Sequence, residues 1–188
     1  MTVFLRAFLA RPPLVAAICV SSLFLLAPAA TPLAGQDPQF RTLTQLGGIE
    51  VMVEDLDSAV QADGAVRFDS IEIGRAVEQR LADAGLVVLT DSQSRADPTV
   101  PFLDVEAVVR RDPASGDFLY LITVDLYQVV VLHHDMRLLA PTWESRFGVA
   151  RVSRAAVTEK LRVKTLAAVD AFVRDYRAAN PELSRQRR

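Results

Sequence analysis

The chain has 188 residues, 21 of them basic and 23 acidic, with two histidines, one cysteine and a net charge of −2. Charge this evenly balanced gives no concentrated basic face for phosphates, which excludes nucleic acid as a partner. A single cysteine excludes internal disulfides and thiolate metal clusters.

Residues 1–35 follow the order of a secretory signal peptide. Arg6 and Arg11 come with no acidic residue before Asp37, an apolar run extends from Leu14 to Leu26, and Ala27-Pro28-Ala29-Ala30 supplies small residues. The run is shorter than the roughly 20 residues of a membrane-spanning helix, and Pro28 interrupts its extension. Cleavage is expected near 29, after Ala27-x-Ala29, or near 35, after Pro32-Leu33-Ala34-Gly35. The later site is placed like a lipoprotein cleavage box. However, Gln36 stands where the lipid-carrying cysteine belongs, and Cys19 follows Ile18 rather than a small residue. The expectation is an exported protein, periplasmic or extracellular, without a lipid anchor, that meets the membrane only through its signal peptide before cleavage. Its exported part has no cysteine, and losing Arg6 and Arg11 leaves 19 basic against 23 acidic residues, a net charge of −4. About 150 residues suit one domain with one core.

Within that part, 36–47 reads as a flexible lead, 48–180 as a single α/β domain and 181–188 as a disordered basic tail. Gly47-Gly48 opens Ile49-Glu50-Val51-Met52-Val53-Glu54, where Ile49, Val51 and Val53 alternate as in a strand. Asp69 precedes Ser70-Ile71-Glu72 as a capping signature, with Phe68 placed to pack on Ile73. Ile73, Ala76, Val77, Leu81 and Ala84 then recur at helical spacing, and Gly85 sits where a left-handed cap ends the helix. Leu86-Val87-Val88-Leu89 predicts a second strand covered on both faces and parallel to the first. Asp91 to Pro101 is polar and reads as loop.

Phe102 to Arg111 and Phe118 to Leu132 predict an antiparallel hairpin around Asp112-Pro113-Ala114-Ser115-Gly116-Asp117. Leu103, Val105, Ala107 and Val109 share one face with Tyr120, Ile122, Val124 and Leu126, while Asp104, Glu106, Thr123 and Asp125 share the wet one. Val129 to Leu132 is apolar on both faces. A connection at His133 to Asp135 leads to a fifth strand over Thr142 to Val149. Ser153 is placed to cap a final helix through Tyr176 that Asn180-Pro181 stops. The order βαβββα predicts a two-layer α/β sandwich, with a mixed, mainly antiparallel sheet of about five strands and two helices on one face.

No segment carries a reaction-specific motif. There is no G-x-S-x-G elbow, and Gly47-Gly48 enters a strand rather than opening a helix, as a phosphate loop does. His133, His134 and Asp135 form the one cluster with metal or acid–base chemistry. Neighbours on an extended strand point to opposite faces, so both imidazoles reach one ion only if the loop turns there. Glu54, Asp55 and Asp57, like Asp112 to Asp117, lack calcium-loop spacing and read as solvated turns. Arg75, Arg80, Arg110, Arg111, Arg151 and Arg154 read as solvated faces. Trp143 and Phe147 share a strand face and read as core rather than as a ligand platform. No catalytic residue, cofactor site or metal site is assigned.

Several stretches carry a resemblance: Ala84-Gly85-Leu86-Val87-Val88-Leu89-Thr90-Asp91 after a helix, the long Leu119 to Leu132 strand, Thr142-Trp143, and Phe172-Val173-Arg174-Asp175-Tyr176-Arg177-Ala178-Ala179-Asn180-Pro181. Together they resemble a group of small exported bacterial proteins of unknown function, over most of the exported chain. In architecture alone, a βαβββα domain is similar to envelope-assembly modules such as the curli-secretion lipoprotein and the N-terminal domain of the Tol translocation protein. The resemblance implies a fold and transfers no functional residue. The expected function is a non-enzymatic binding or envelope-assembly module whose partner is a protein or envelope component. The alternative is a hydrolase or a small-ligand or metal-binding protein using His133-His134-Asp135.

Overall fold

A computed structural model describes residues 38–186 except 45, 146 and 147. The signal segment with both cleavage positions, Cys19 and Phe147 lie outside the described residues. Among those described, five strands form an open mixed sheet accompanied by six helices. In chain order these are α1 (Pro38–Thr42), β1 (Glu50–Val53), α2 (Ser58–Ala62), α3 (Ser70–Ala84), α4 (Asp91–Ala96), β2 (Phe102–Arg111), β3 (Phe118–Val131), β4 (Arg137–Glu144), β5 (Ala150–Val152), α5 (Val157–Ala179) and α6 (Pro181–Gln186). No described helix is long and apolar enough to cross a membrane.

The local signals around α3 act as their chemistry dictates. The Asp69 carboxylate accepts hydrogen bonds from the Ile71 and Glu72 amides, a cap that contributes about 1 kcal/mol. Gly85 adopts φ 96°, a left-handed conformation that glycine reaches without strain, and its N–H returns to the last turn. Ile73, Val77, Leu81 and Ala84 are buried on one face of the helix.

After α3 the expected strand over 86–89 shrinks to one bridge. Ile49 and Val88 pair in the parallel sense, with Ile49 N–H donating to Val87 O and Leu89 N–H to Ile49 O, both at 2.9 Å. Val87, expected to be covered, is 57% exposed. Pairing stops because the next residues turn into α4, where Thr90 N–H donates to Gln93 Oε1, so part of the presumed loop is helix. Asp-Ser-Gln-Ser after a threonine was the missed start signal.

The sheet order is β1-β2-β3-β4, with β1 parallel to β2 and the rest antiparallel. β5 also pairs with β3. β4 and β5 line the same edge of β3, and bulges offset their register. Thr142 is an extra residue between the Tyr127–Pro141 and Leu126–Trp143 pairs. The pairs Asp125–Glu144 and Tyr120–Ala150 lie five positions apart on β3 and six on the other side, so the register differs by one residue here too. The expected single strand over 142–149 is therefore split, and its first part starts earlier, at Arg137.

Alternation along β2 and β3 buries Leu103, Val105, Val109, Tyr120, Ile122, Val124 and Leu126 in one core with α3 and α5. Trp143 joins that core at 3% exposure, edge-on to Phe172 at 5.1 Å, with its indole N–H donating to Asp175 Oδ2. Ser153 does not cap α5. The chain makes a further turn, closed by Ala156 N–H to Ser153 O, and the helix begins at Val157.

Both ends of the domain are more ordered than composition suggested. Leu43, in the presumed flexible lead, is fully buried, and its carbonyl accepts from Asn180 Nδ2 at 2.9 Å. Asn180 is itself buried and ties α1 to the end of α5, a role its identity as a helix stop did not reveal. In the presumed tail, Pro181–Gln186 forms α6, and Leu183 packs against the core.

Candidate functional site

The sheet face opposite the packed core carries the least expected chemistry. Its residues are half-buried along β2 and β3, with apolar and acidic groups in successive rows. Phe102 and Tyr127 pair across strands and stack with centroids 5.0 Å apart. In the next row Asp104 pairs with Asp125, and Asp125 with Glu144, so three carboxylates stand side by side across three strands. Glu106, opposite Thr123, follows. Like charges directly opposite one another destabilise a sheet.

The electrostatic consequence is local. Burial, then Glu54, Glu106 and Asp125, hold the Asp104 carboxyl above the ordinary aspartate value. Burial also raises Asp125, opposed by the Ser145 amide and reinforced by Glu144 and Glu106. Burial, then Asp125 and Asp104, raises the Tyr127 hydroxyl. Among the described residues no lysine or arginine forms an ion pair with these carboxylates.

Beside this row β3 and β4 outrun the rest of the sheet. β2 covers β3 only as far as Tyr127, so Gln128–Val131 pairs with Arg137–Ala140 alone, as a two-stranded arm. Apolar residues occupy both of its faces. Val131 is 60% exposed and Leu139 52% on one face, and Leu138 is exposed on the other. Leu132 and Met136 near the tip are exposed as well. An isolated two-stranded ribbon is marginal in water, and this one leaves an exposed apolar patch at the edge of the domain.

His133, His134 and Asp135 form the tip of this arm and are exposed. The chain does turn here: His134 and Asp135 both have positive φ, at 66° and 58°. Both rings therefore lie on one side, stacked at 4.3 Å with planes 2° apart. Lone pairs in parallel planes do not converge on one ion, and His133 Nδ1 already accepts from the His134 amide.

The remaining acidic candidates hold turns together. Asp57 caps α2 through the Ala59 amide, and Asp55 accepts from Ser70 Oγ. Asp112 accepts from Ser115, the Ala114 amide and Arg151, which together lower its carboxyl below the ordinary value. Asp63 lies 2.6 Å from Arg154 and 3.3 Å from Arg111. Nothing local in the sequence marked Asp63, because its partners lie 48 and 91 positions away. Arg80 pairs with Asp170. A depression of about 460 Å³ between α3 and Val88–Thr90 is lined by Arg75, Glu78 and Gln79, remote in sequence from the arm and the acidic row.

The chain matches no known family model, and no curated protein gives a significant match to it.

Proposed function

We propose that the protein is an exported, non-enzymatic binding or assembly module that docks through the β3–β4 arm. The observation that carries this reading is the ribbon over Gln128–Val131 and Arg137–Ala140, apolar on both faces and resting on no third strand. Its surroundings support it. The open sheet face continues from the arm with an aromatic pair and a carboxylate row, a mixture suited to recognition. In this reading the domain is a two-layer α/β sandwich, with helices on one face and the other left to a partner. Export follows from the signal order of residues 1–35 and gives the module an envelope or extracellular setting.

Photo-cross-linking in intact cells tests the reading. A photoreactive residue at Leu132 or Leu138 is expected to give a discrete adduct, and one at Lys160, exposed on α5, none. Adding Val131→Asp is expected to remove the adduct without changing the melting curve, because that side chain is already largely exposed. Cross-linking no stronger at the arm than at Lys160 would overturn the proposal.

A further inference from the structure

We infer that the arm docks on a second copy of this chain, the two arms packing face to face about a two-fold axis that sets Arg137 of each copy against Glu144 of the partner subunit. This rests on the docking role proposed above and names its partner.

The argument is one of self-complementarity. On the open-face side, successive rows of the β3–β4 pair are Val131 with Arg137, Val129 with Leu139, Tyr127 with Pro141, and Asp125 with Glu144. Two apolar rows lie between a row carrying a cation and a row carrying two anions. A two-fold interface presents the same patch from both sides, and an axis running across the strands sets the rows against each other in reversed order. With the axis between the two middle rows, Val129 and Leu139 meet Tyr127 and Pro141 of the partner subunit, and the outer rows exchange. Arg137 then faces Glu144 and Asp125 of the partner subunit, and the same contact repeats at the other end. Within one chain Arg137 and Glu144 are both exposed, and neither has an ion-pair partner among the described residues. The carboxylate row that strains a lone copy thus receives one cation, Arg137 of the partner subunit.

Two other ways of covering the arm fit less well. Leu132 N–H donates to Met136 O, so by alternation the outward backbone groups of β4 belong to Arg137, Leu139 and Pro141. Pro141 has no N–H, which blunts that edge against an added strand. A bilayer would meet the arm's tip first, and the tip residues His133, His134 and Asp135 are polar.

The strip is short. The two outer rows lie six residue steps apart along β3, about 20 Å at a strand's rise. Such an interface belongs to the small, weakly held class. Dimerisation is therefore expected only at high micromolar concentration.

Sedimentation velocity on protein purified from cells expressing the full 188-residue chain, over roughly 1–200 µM, tests this. The expected result is a concentration-dependent shift from monomer to dimer. Arg137→Glu and Glu144→Arg should each weaken it by about tenfold or more, and the double variant R137E/E144R should restore it. Restoration is a readout that misfolding cannot produce. A monomer throughout, a dimer indifferent to both single reversals, or a double variant that stays weak would each overturn the inference. A monomer whose arm still cross-links to another protein in cells would overturn the second copy and leave the docking role standing. A monomer whose arm cross-links to nothing would overturn both.

Discussion

At the turn end of the β2–β3 hairpin, Asp112 and Asp117 face Arg151. Farther along the same two strands Asp104 meets Asp125, and Asp125 meets Glu144, with no cation paired among the described residues. The two regions use the same residue types and sit in opposite electrostatic settings. Hydrogen bonds and Arg151 lower the Asp112 carboxyl, whereas burial and neighbouring carboxylates raise Asp104 and Asp125. The first arrangement joins elements: Arg151 holds β5 to the turn, and next to it Asp63 links Arg111 at the end of β2 to Arg154 before α5. The second costs stability, because like charges stand opposite one another on a half-buried face. The comparison separates acids that build the domain from acids that leave a like-charge cost on its open face.

The paired region should show the larger effect when broken. Asp63→Ala leaves both Arg111 and Arg154 without their shared carboxylate, whose side chain is only 17% exposed. Both arginines are about half exposed, so water recovers part of the loss. A destabilisation of about 1–2 kcal/mol is expected, a fall in Tm of roughly 3–6 °C by circular dichroism. An unchanged Tm would show that this network joins nothing.

The unpaired region should respond with the opposite sign. Asp104→Asn or Asp125→Asn removes a like charge from the row and keeps an oxygen for the backbone amide nearby. At pH 7 each is expected to raise Tm by about 1–3 °C, a modest figure because the site is only half-buried. A fall in Tm would mean that these carboxylates contribute to the fold.

Much of this contrast is legible in the sequence, and its limits have physical causes. The alternation along β2 and β3 separates the core face from the acidic face correctly, because strand periodicity is local. The cap at Asp69 and the stop at Gly85 are legible for the same reason, since each motif acts within one turn of α3. The split of β4 from β5 was not, because bulges are set by pairing with β3 rather than by residues 142–149 themselves. Asn180 and Asp63 were invisible as joints, since their partners lie 137 positions away and at 48 and 91 positions respectively. The arm was half legible. Val129 to Leu132 announced apolar residues on both faces, but only the register shows that β2 ends at Tyr127 and leaves them uncovered.

The finest separation of the two regions comes from pH. Asp104 and Asp125 have folded pKa values raised above an ordinary value near 3.8, so their contribution is complete below about pH 3.8. It is lost as pH rises through the raised values, because the folded state holds the proton more tightly than the unfolded chain. Asp112 has a lowered value, so its contribution is complete above about pH 3.8 and lost as pH falls through the lowered one. The difference in Tm between Asp104→Asn and the parent should therefore shrink toward zero on acidification from pH 7 to below 3.8. Asp112→Asn should show a small deficit at pH 7 that also closes in acid, only further down. It reaches the parent from below, whereas Asp104→Asn reaches it from above. Thermal melts at steps of half a pH unit distinguish the two, and curves that closed from the same side would erase the distinction between the regions.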